Sequence, residues 1–238
     1  MFSLKHIRLI FFFALISVFQ IAYSQASYVG ELGLNGGISY YNGDVNSTRI
    51  FVHNREAAGL FFRLRVNDYI GIKIDGGIAG VKGSGKNFPK NHLPLKYENG
   101  AAGYNYEFSK RLLNVNALFC LNFFKFDYHK HDREAKWHTP YVMLGPGLAI
   151  QDQWTGNDCM LNLAYGVGYK FKIGPRVNAG VEWTMHKLTH DNLDNEGFKK
   201  YLDDPYKVGH ERLKNNDYFS TCVLFVSFDL IKKRGICH

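Results

Sequence analysis

The sequence predicts an all-β protein, an eight-stranded antiparallel barrel that crosses an outer membrane. Three observations predict it. The chain opens on an export leader, its later segments alternate apolar and polar residues, and nowhere after the leader is there a run of about 20 apolar residues able to form a spanning helix. An exported chain with apolar strand faces can satisfy its backbone in lipid by closing a barrel, because each unpaired N–H or C=O in hydrocarbon is costly.

The leader is residues 1–24. Lys5 and Arg8 supply the positive start, Leu9 to Phe19 an apolar run too short to span, and Ala22 and Ser24 the small residues a signal peptidase needs before Gln25. The barrel is then expected over 25–230, with a basic periplasmic tail at 231–238. No Cys follows the apolar run, so a lipid anchor at that point is not expected.

The strands follow in order. The first, near Tyr28 to Tyr40, turns Leu32, Leu34, Ile38 and Tyr40 outward and Glu31, Asn35 and Ser39 inward. The second, Ala58 to Val66, opposes Leu60, Phe62 and Leu64 to Phe61, Arg63 and Arg65. Asn67-Asp68 forms a tight turn into the third, Ile70 to Gly80, where Ile70, Ile72, Ile74 and Ile78 face away from Lys73 and Asp75. The fourth, Leu113 to Phe123, sets Val115, Ala117, Phe119 and Leu121 against Asn114, Asn116 and Asn122. The fifth covers Tyr141 to Ile150. In the sixth, Leu161 to Phe171, the odd positions are large and apolar and the even ones are Asn162, Ala164, Gly166, Gly168 and Lys170. The seventh opposes Val177, Ala179, Val181, Trp183 and Met185 to Asn178, Gly180, Glu182 and Thr184. The eighth, Tyr218 to Leu230, puts Leu224, Val226 and Phe228 outward and Phe219 and Phe225 on the other face.

Aromatic residues make up 16% of the chain and suit girdles at two membrane interfaces. The net charge of +8 falls to +6 once Lys5 and Arg8 leave. On an exported chain such a surplus points to anionic lipid headgroups or an acidic partner rather than nucleic acid. With the amino terminus in the periplasm, the outer connections are 41–57, 81–111, 151–159 and 187–216. The inner connection 125–139 is long for its side. It carries Tyr128, Arg133, Lys136 and Trp137, which with Lys232, Lys233 and Arg234 of the tail are the candidate partner-binding residues.

Other motifs carry less. Gly80 to Asn87 is one residue from a phosphate-binding loop, but Asn87 stands where Ser or Thr would hold magnesium and Phe88-Pro89 blocks the helix that should follow, so a basic loop is expected. His129, His131 and His138 lie near Asp132 and Glu134 at spacing too loose to specify a metal, and neither metal nor cofactor is expected. His186, Asp191, Asp194 and Ser220 fall near the outer rim, where lipid-modifying barrel enzymes keep their chemistry, but no nucleophile motif accompanies them. Cys120, Cys159, Cys222 and Cys237 are expected to be structural thiols, Cys159 and Cys237 being placed at opposite ends of the barrel. The lumen should hold Arg63, Arg65, Lys73 and Lys170 against Glu31, Asp75 and Glu182, filled by compensating pairs rather than open as a porin.

Four motifs occur in one order: Tyr41 to Asp44, Thr139 to Gly147, Leu202 to Tyr206 and Leu213 to Tyr218, before a short tail containing Cys237. Through them the mature chain resembles the family of small outer-membrane barrels that includes PorG of the type IX secretion system. The resemblance implies a non-enzymatic component that ties a periplasmic ring, built from PorK-like and PorN-like proteins, to the outer membrane of a Gram-negative bacterium. A lipid-modifying barrel enzyme and a stand-alone adhesin-like surface barrel are the alternatives.

Overall fold

A computed structural model of the chain describes residues 29–42, 50–84, 107–126, 136–151, 159–189, 193 and 217–230. They form eight strands: β1 (Gly30–Asn42), β2 (Arg55–Arg65), β3 (Ile70–Ser84), β4 (Glu107–Asn122), β5 (His138–Gln151), β6 (Cys159–Lys172), β7 (Val177–Leu188) and β8 (Tyr218–Asp229). Each pairs antiparallel with the next, and β8 returns to β1 from Glu31↔Asp229 to Asn42↔Tyr218, so the barrel is closed. Closure leaves the described ladder no edge strand, which is the condition for placing a sheet in lipid. The leader and the tail lie outside the described residues.

The alternation read from sequence is the alternation of the wall. Leu34, Leu60, Ile74, Phe119, Leu144, Leu163, Val181 and Leu224 are exposed on the outer face, while Phe61, Arg63, Lys73, Asn116, Lys170, Glu182 and Phe225 are buried inside. In water such a face would aggregate; in a bilayer it is the solvated one. Phe219 and Phe225 of β8 do point inward and are buried, and Phe225 meets Phe61 edge-on at 5.4 Å between ring centroids. Tyr40 departs from expectation. It is fully buried, because Phe51 packs at 4.9 Å and Trp183 donates its indole N–H to the Tyr40 hydroxyl at 2.9 Å.

Lumenal space is made by glycine. A Cβ on Gly33 would enter the Phe61 ring, and one on Gly168 would enter the Tyr141 ring. These two positions are small because the residue paired with each on the neighbouring strand lays a large ring over it, not because a turn needs glycine.

The strands run further into the expected loops than the sequence suggests, most of all on either side of the connection between β3 and β4. The connection read as 81–111 begins only after Ser84 and ends before Glu107, since β3 and β4 stay paired through Val81↔Lys110 to Ser84↔Glu107. Gly80 to Ser84 of the phosphate-loop-like motif is therefore part of a ladder rather than a basic loop, and residues 85–87 lie outside the described residues. No helix among the described residues is long and apolar enough to cross a membrane.

Candidate functional site: a filled lumen and its periplasmic rim

All eight strands send polar side chains into one network in the half of the barrel nearest the strand ends at Gly30 and Asp229. Arg63 of β2 donates to Glu31 of β1 at 3.2 Å and to Glu182 of β7 at 2.9 Å. Lys73 of β3 and the Tyr141 hydroxyl of β5 also donate to Glu182. Lys73 lies 3.3 Å from Asp75, which accepts from the Asn116 amide of β4 at 2.8 Å. Toward the rim, Asp229 of β8 holds Arg65 at 3.0 Å, Lys172 of β6 at 2.7 Å and the Asn178 amide at 3.1 Å. Ser227 donates to Glu31. Apart from Asp75, which is partly open, these charges have less than about a tenth of their surface exposed. Charges so buried must be paired and hydrogen-bonded to persist.

Toward the other end the lumen turns apolar. Tyr41, Ala79, Val81, Phe108, Leu112, Ala149, Met160, Leu188, Leu193 and Phe219 form one buried cluster. The Tyr41 hydroxyl donates to Asp217, which also accepts the Leu193 backbone N–H at 3.0 Å, so Leu193 is pinned under the outer rim. Between the two layers is a cavity of about 30 Å³ lined by Asp75, Asn114, Glu182, Thr184, His186 and Thr221, room for about two waters. His186 stacks on Phe219 at 4.3 Å, and neither ring nitrogen has a partner. Thus His186 sits inside the lumen rather than at an outer catalytic rim. Ser220 takes the opposite face of β8 from Phe219 in the strand's alternation, so His186 and Ser220 do not pair. Asp191 and Asp194 lie outside the described residues.

The periplasmic rim is assigned by convention of such barrels, with both strand termini and the short turns on that side. The turn 66–69 is closed by Asn67, whose side-chain oxygen accepts the N–H groups of Tyr69 and Ile70 at 2.8 and 2.6 Å. The longer connection between β4 and β5 is tied to it. Lys125 pairs with Asp68 at 3.7 Å, and the Asn122 amide donates to the Asp68 carbonyl at 3.2 Å. Phe126 then turns into the barrel mouth and is buried, with Lys170 at 4.5 Å, Arg65 at 5.5 Å and Lys172 at 5.6 Å from its ring centre.

Of the expected partner-binding residues, Lys136 and Trp137 are described and neighbouring, both exposed; Tyr128, Arg133, Lys232, Lys233 and Arg234 lie outside the described residues. Lys136 stands 4.0 Å over the Phe124 ring. Trp137 packs edge-on against His138, which stacks on Tyr169 and shares a 2.8 Å hydrogen bond with its hydroxyl. Rings of this kind around one lip of a barrel belong at a membrane interface. His138 is therefore an outward girdle residue; His129, His131, Asp132 and Glu134 lie outside the described residues. Among the described residues no cluster of His, Cys, Asp and Glu could hold a metal. Cys120, Cys159 and Cys222 are free thiols. Sequence reasoning missed Phe126, Tyr141, Lys172 and Asp229 as network members.

No match was found among curated proteins. Solved structures similar in fold include Neisserial surface protein A, at 12% identity and TM-score 0.48 over 84% of this chain and 97% of that one. Ail, the attachment invasion locus protein of Yersinia pestis, solved with the heparin analogue sucrose octasulfate, follows at 12% and 0.44 over 85% and 99%. The N-terminal barrel of Pseudomonas aeruginosa OprF is at 12% and 0.42 over 86% and 98%. Residues 11–200 match the model of a family described as outer membrane protein beta-barrel domain, and the chain, an outer-membrane barrel, belongs to that family.

Proposed function

We propose that this barrel is a non-enzymatic structural component of the type IX secretion apparatus, holding a periplasmic ring of PorK-like and PorN-like proteins to the outer membrane. The ordered motifs from Tyr41 to Tyr218 support the secretion assignment through the resemblance they carry. The observation that carries the anchoring role is the connection between β4 and β5. It occupies residues 123–137 on a side where the other connections are 66–69 and 173–176, and its base is fastened to the turn 66–69 by Lys125 and Asn122. A long connection with a rigid base is a suitable docking element, because less order must be gained when a partner binds.

Lys136 and Trp137 stand at the lip where such a partner and the lipid headgroups meet. Exposed charge pairs there are worth roughly 0–1 kcal/mol each, so the aromatic area of Trp137 is the larger contribution. Replacing Trp137 by Ala should lower ring retention and secretion while the barrel still assembles. A photo-crosslinker at Trp137 or Lys136 should capture a periplasmic ring protein. Capture of lipid alone, with unchanged ring retention in the variant, would leave Trp137 a girdle residue and remove the anchoring role.

A further inference from the structure

Among the described residues the buried network does not balance. Inside the periplasmic half, Arg63, Arg65, Lys73, Lys170 and Lys172 face Glu31, Asp75, Glu182 and Asp229, five cations against four carboxylates. Four of the cations are in ion pairs. Lys170 is the fifth: it is 1% exposed, and among the described residues no carboxylate pairs with it. What it has is two aromatic faces, Phe126 at 4.5 Å and Tyr141 at 5.3 Å. A ring face attracts a cation through its quadrupole, but it replaces a counter-ion only in part.

Tyr141 is fixed, since its hydroxyl is spent on Glu182 and its ring sits over Gly168. Phe126 is different. It belongs to a connection rather than a strand, and its ring stands over not one cation but three, Lys170, Arg65 and Lys172. If the Phe126 ring leaves, three positive groups lose the ring face they share, and among the described residues one of them, Lys170, has no carboxylate partner.

We propose that the periplasmic mouth of the barrel is a carboxylate-binding site, with Lys170 as its free charge, Arg65 and Lys172 as its flanks, and Phe126 as the ring that covers it until a carboxylate takes its place. The site takes a carboxylate because its flanking cations already hold one, Asp229, at 3.0 and 2.7 Å, and a second completes the charge balance. The inference stands on the lumen alone and does not rest on the secretion reading.

The test uses the complete barrel folded in detergent at fixed ionic strength, as wild type, Phe126→Ala, Lys170→Met and the double variant, each checked for folding by its gel mobility before and after boiling. Two probes are applied: acetate, followed by saturation transfer to its methyl group, and a labelled glutamate-rich peptide, followed by fluorescence anisotropy. Phe126→Ala should bind at least one probe about tenfold more tightly than wild type, and the double variant should lose that gain. Binding of acetate assigns the site to free carboxylates, and binding of the peptide alone assigns it to a carboxylate carried on a protein. Phe126→Leu, which keeps apolar volume but removes the ring face, should give a gain in the same direction if Phe126→Ala fails to fold. A Phe126 variant no tighter than wild type, or a double variant that binds as well as Phe126→Ala, overturns the proposal.

Discussion

Glu182 accepts from Arg63, Lys73 and Tyr141. Removing its charge leaves two buried cations to share Glu31 and Asp75, and breaking a buried pair from one side costs about 3–5 kcal/mol. Glu182→Gln should therefore lower the unfolding free energy, read from a urea titration, by an amount in that range. Glu56→Gln should cost far less, because Glu56 is exposed at the outer rim and solvent screens its pairs with Arg55 and Arg111, each at 3.6 Å. Equal losses in the two variants would mean that the lumen is wet enough to screen its own charges. On the outer face the same chemistry has the opposite sign. Val167 is 51% exposed on the middle of β6, so Val167→Arg puts a charge into hydrocarbon at about 2–4 kcal/mol. Unfolding from lipid vesicles that shows no loss would place Val167 away from the bilayer.

A strand of this barrel is legible where its two faces meet different solvents, and that condition fails at the outer ends of β3 and β4. Below, lipid lies outside and charge inside, so Ile72 and Ile74 alternate with Lys73 and Asp75. Above, Val81, Phe108 and Leu112 fill the lumen while Lys82, Glu107, Ser109 and Arg111 face outward, so the pattern inverts and reads as a polar loop. The same logic sorts the network. Lys172 and Asp229 continue the inward alternation of β6 and β8 and could have been read from it, whereas Phe126 stands in a polar stretch with no period to betray it. Glycine is legible as a gap but not as a partner: nothing in the sequence says that Gly168 makes room for Tyr141, its cross-strand partner on β5. Gly168→Ala should force the Tyr141 ring off its seat and weaken its bond to Glu182, costing about 1–3 kcal/mol by overpacking. Gly174→Ala, in the turn before β7 where an added Cβ meets Val177 at an ordinary 4.0 Å, should cost little. Comparable losses from urea titration of both would put the Gly168 effect in strand propensity rather than in the lumen.

Seen along its axis, the barrel is obstructed twice by different physics. An ionic layer drawn from every strand fills the periplasmic half, an apolar cluster fills the other, and a cavity of about 30 Å³ lies between them. A hydrated ion must shed water against hydrocarbon at Leu112 and Phe219 and then pass between Arg63, Glu31, Lys73 and Glu182, whose geometry is already committed to one another. Neither step is favourable, and an eight-stranded wall is too narrow to go around them. Planar bilayers containing the wild-type barrel should accordingly show no steady single-channel current. Because the two layers act in series, thinning the apolar one by Leu112→Ala with Phe219→Ala should admit water to the outer half, raising hydrogen exchange at β4 and β8 without giving steady conductance while the ionic layer stands. Adding Arg63→Ala and Glu182→Ala together removes charge from both signs of that layer, and conductance should then appear. Steady channels from the wild-type barrel, or from the apolar double variant alone, would show that the ionic layer opens by itself, and the barrel's work would then lie through its lumen rather than at its rims.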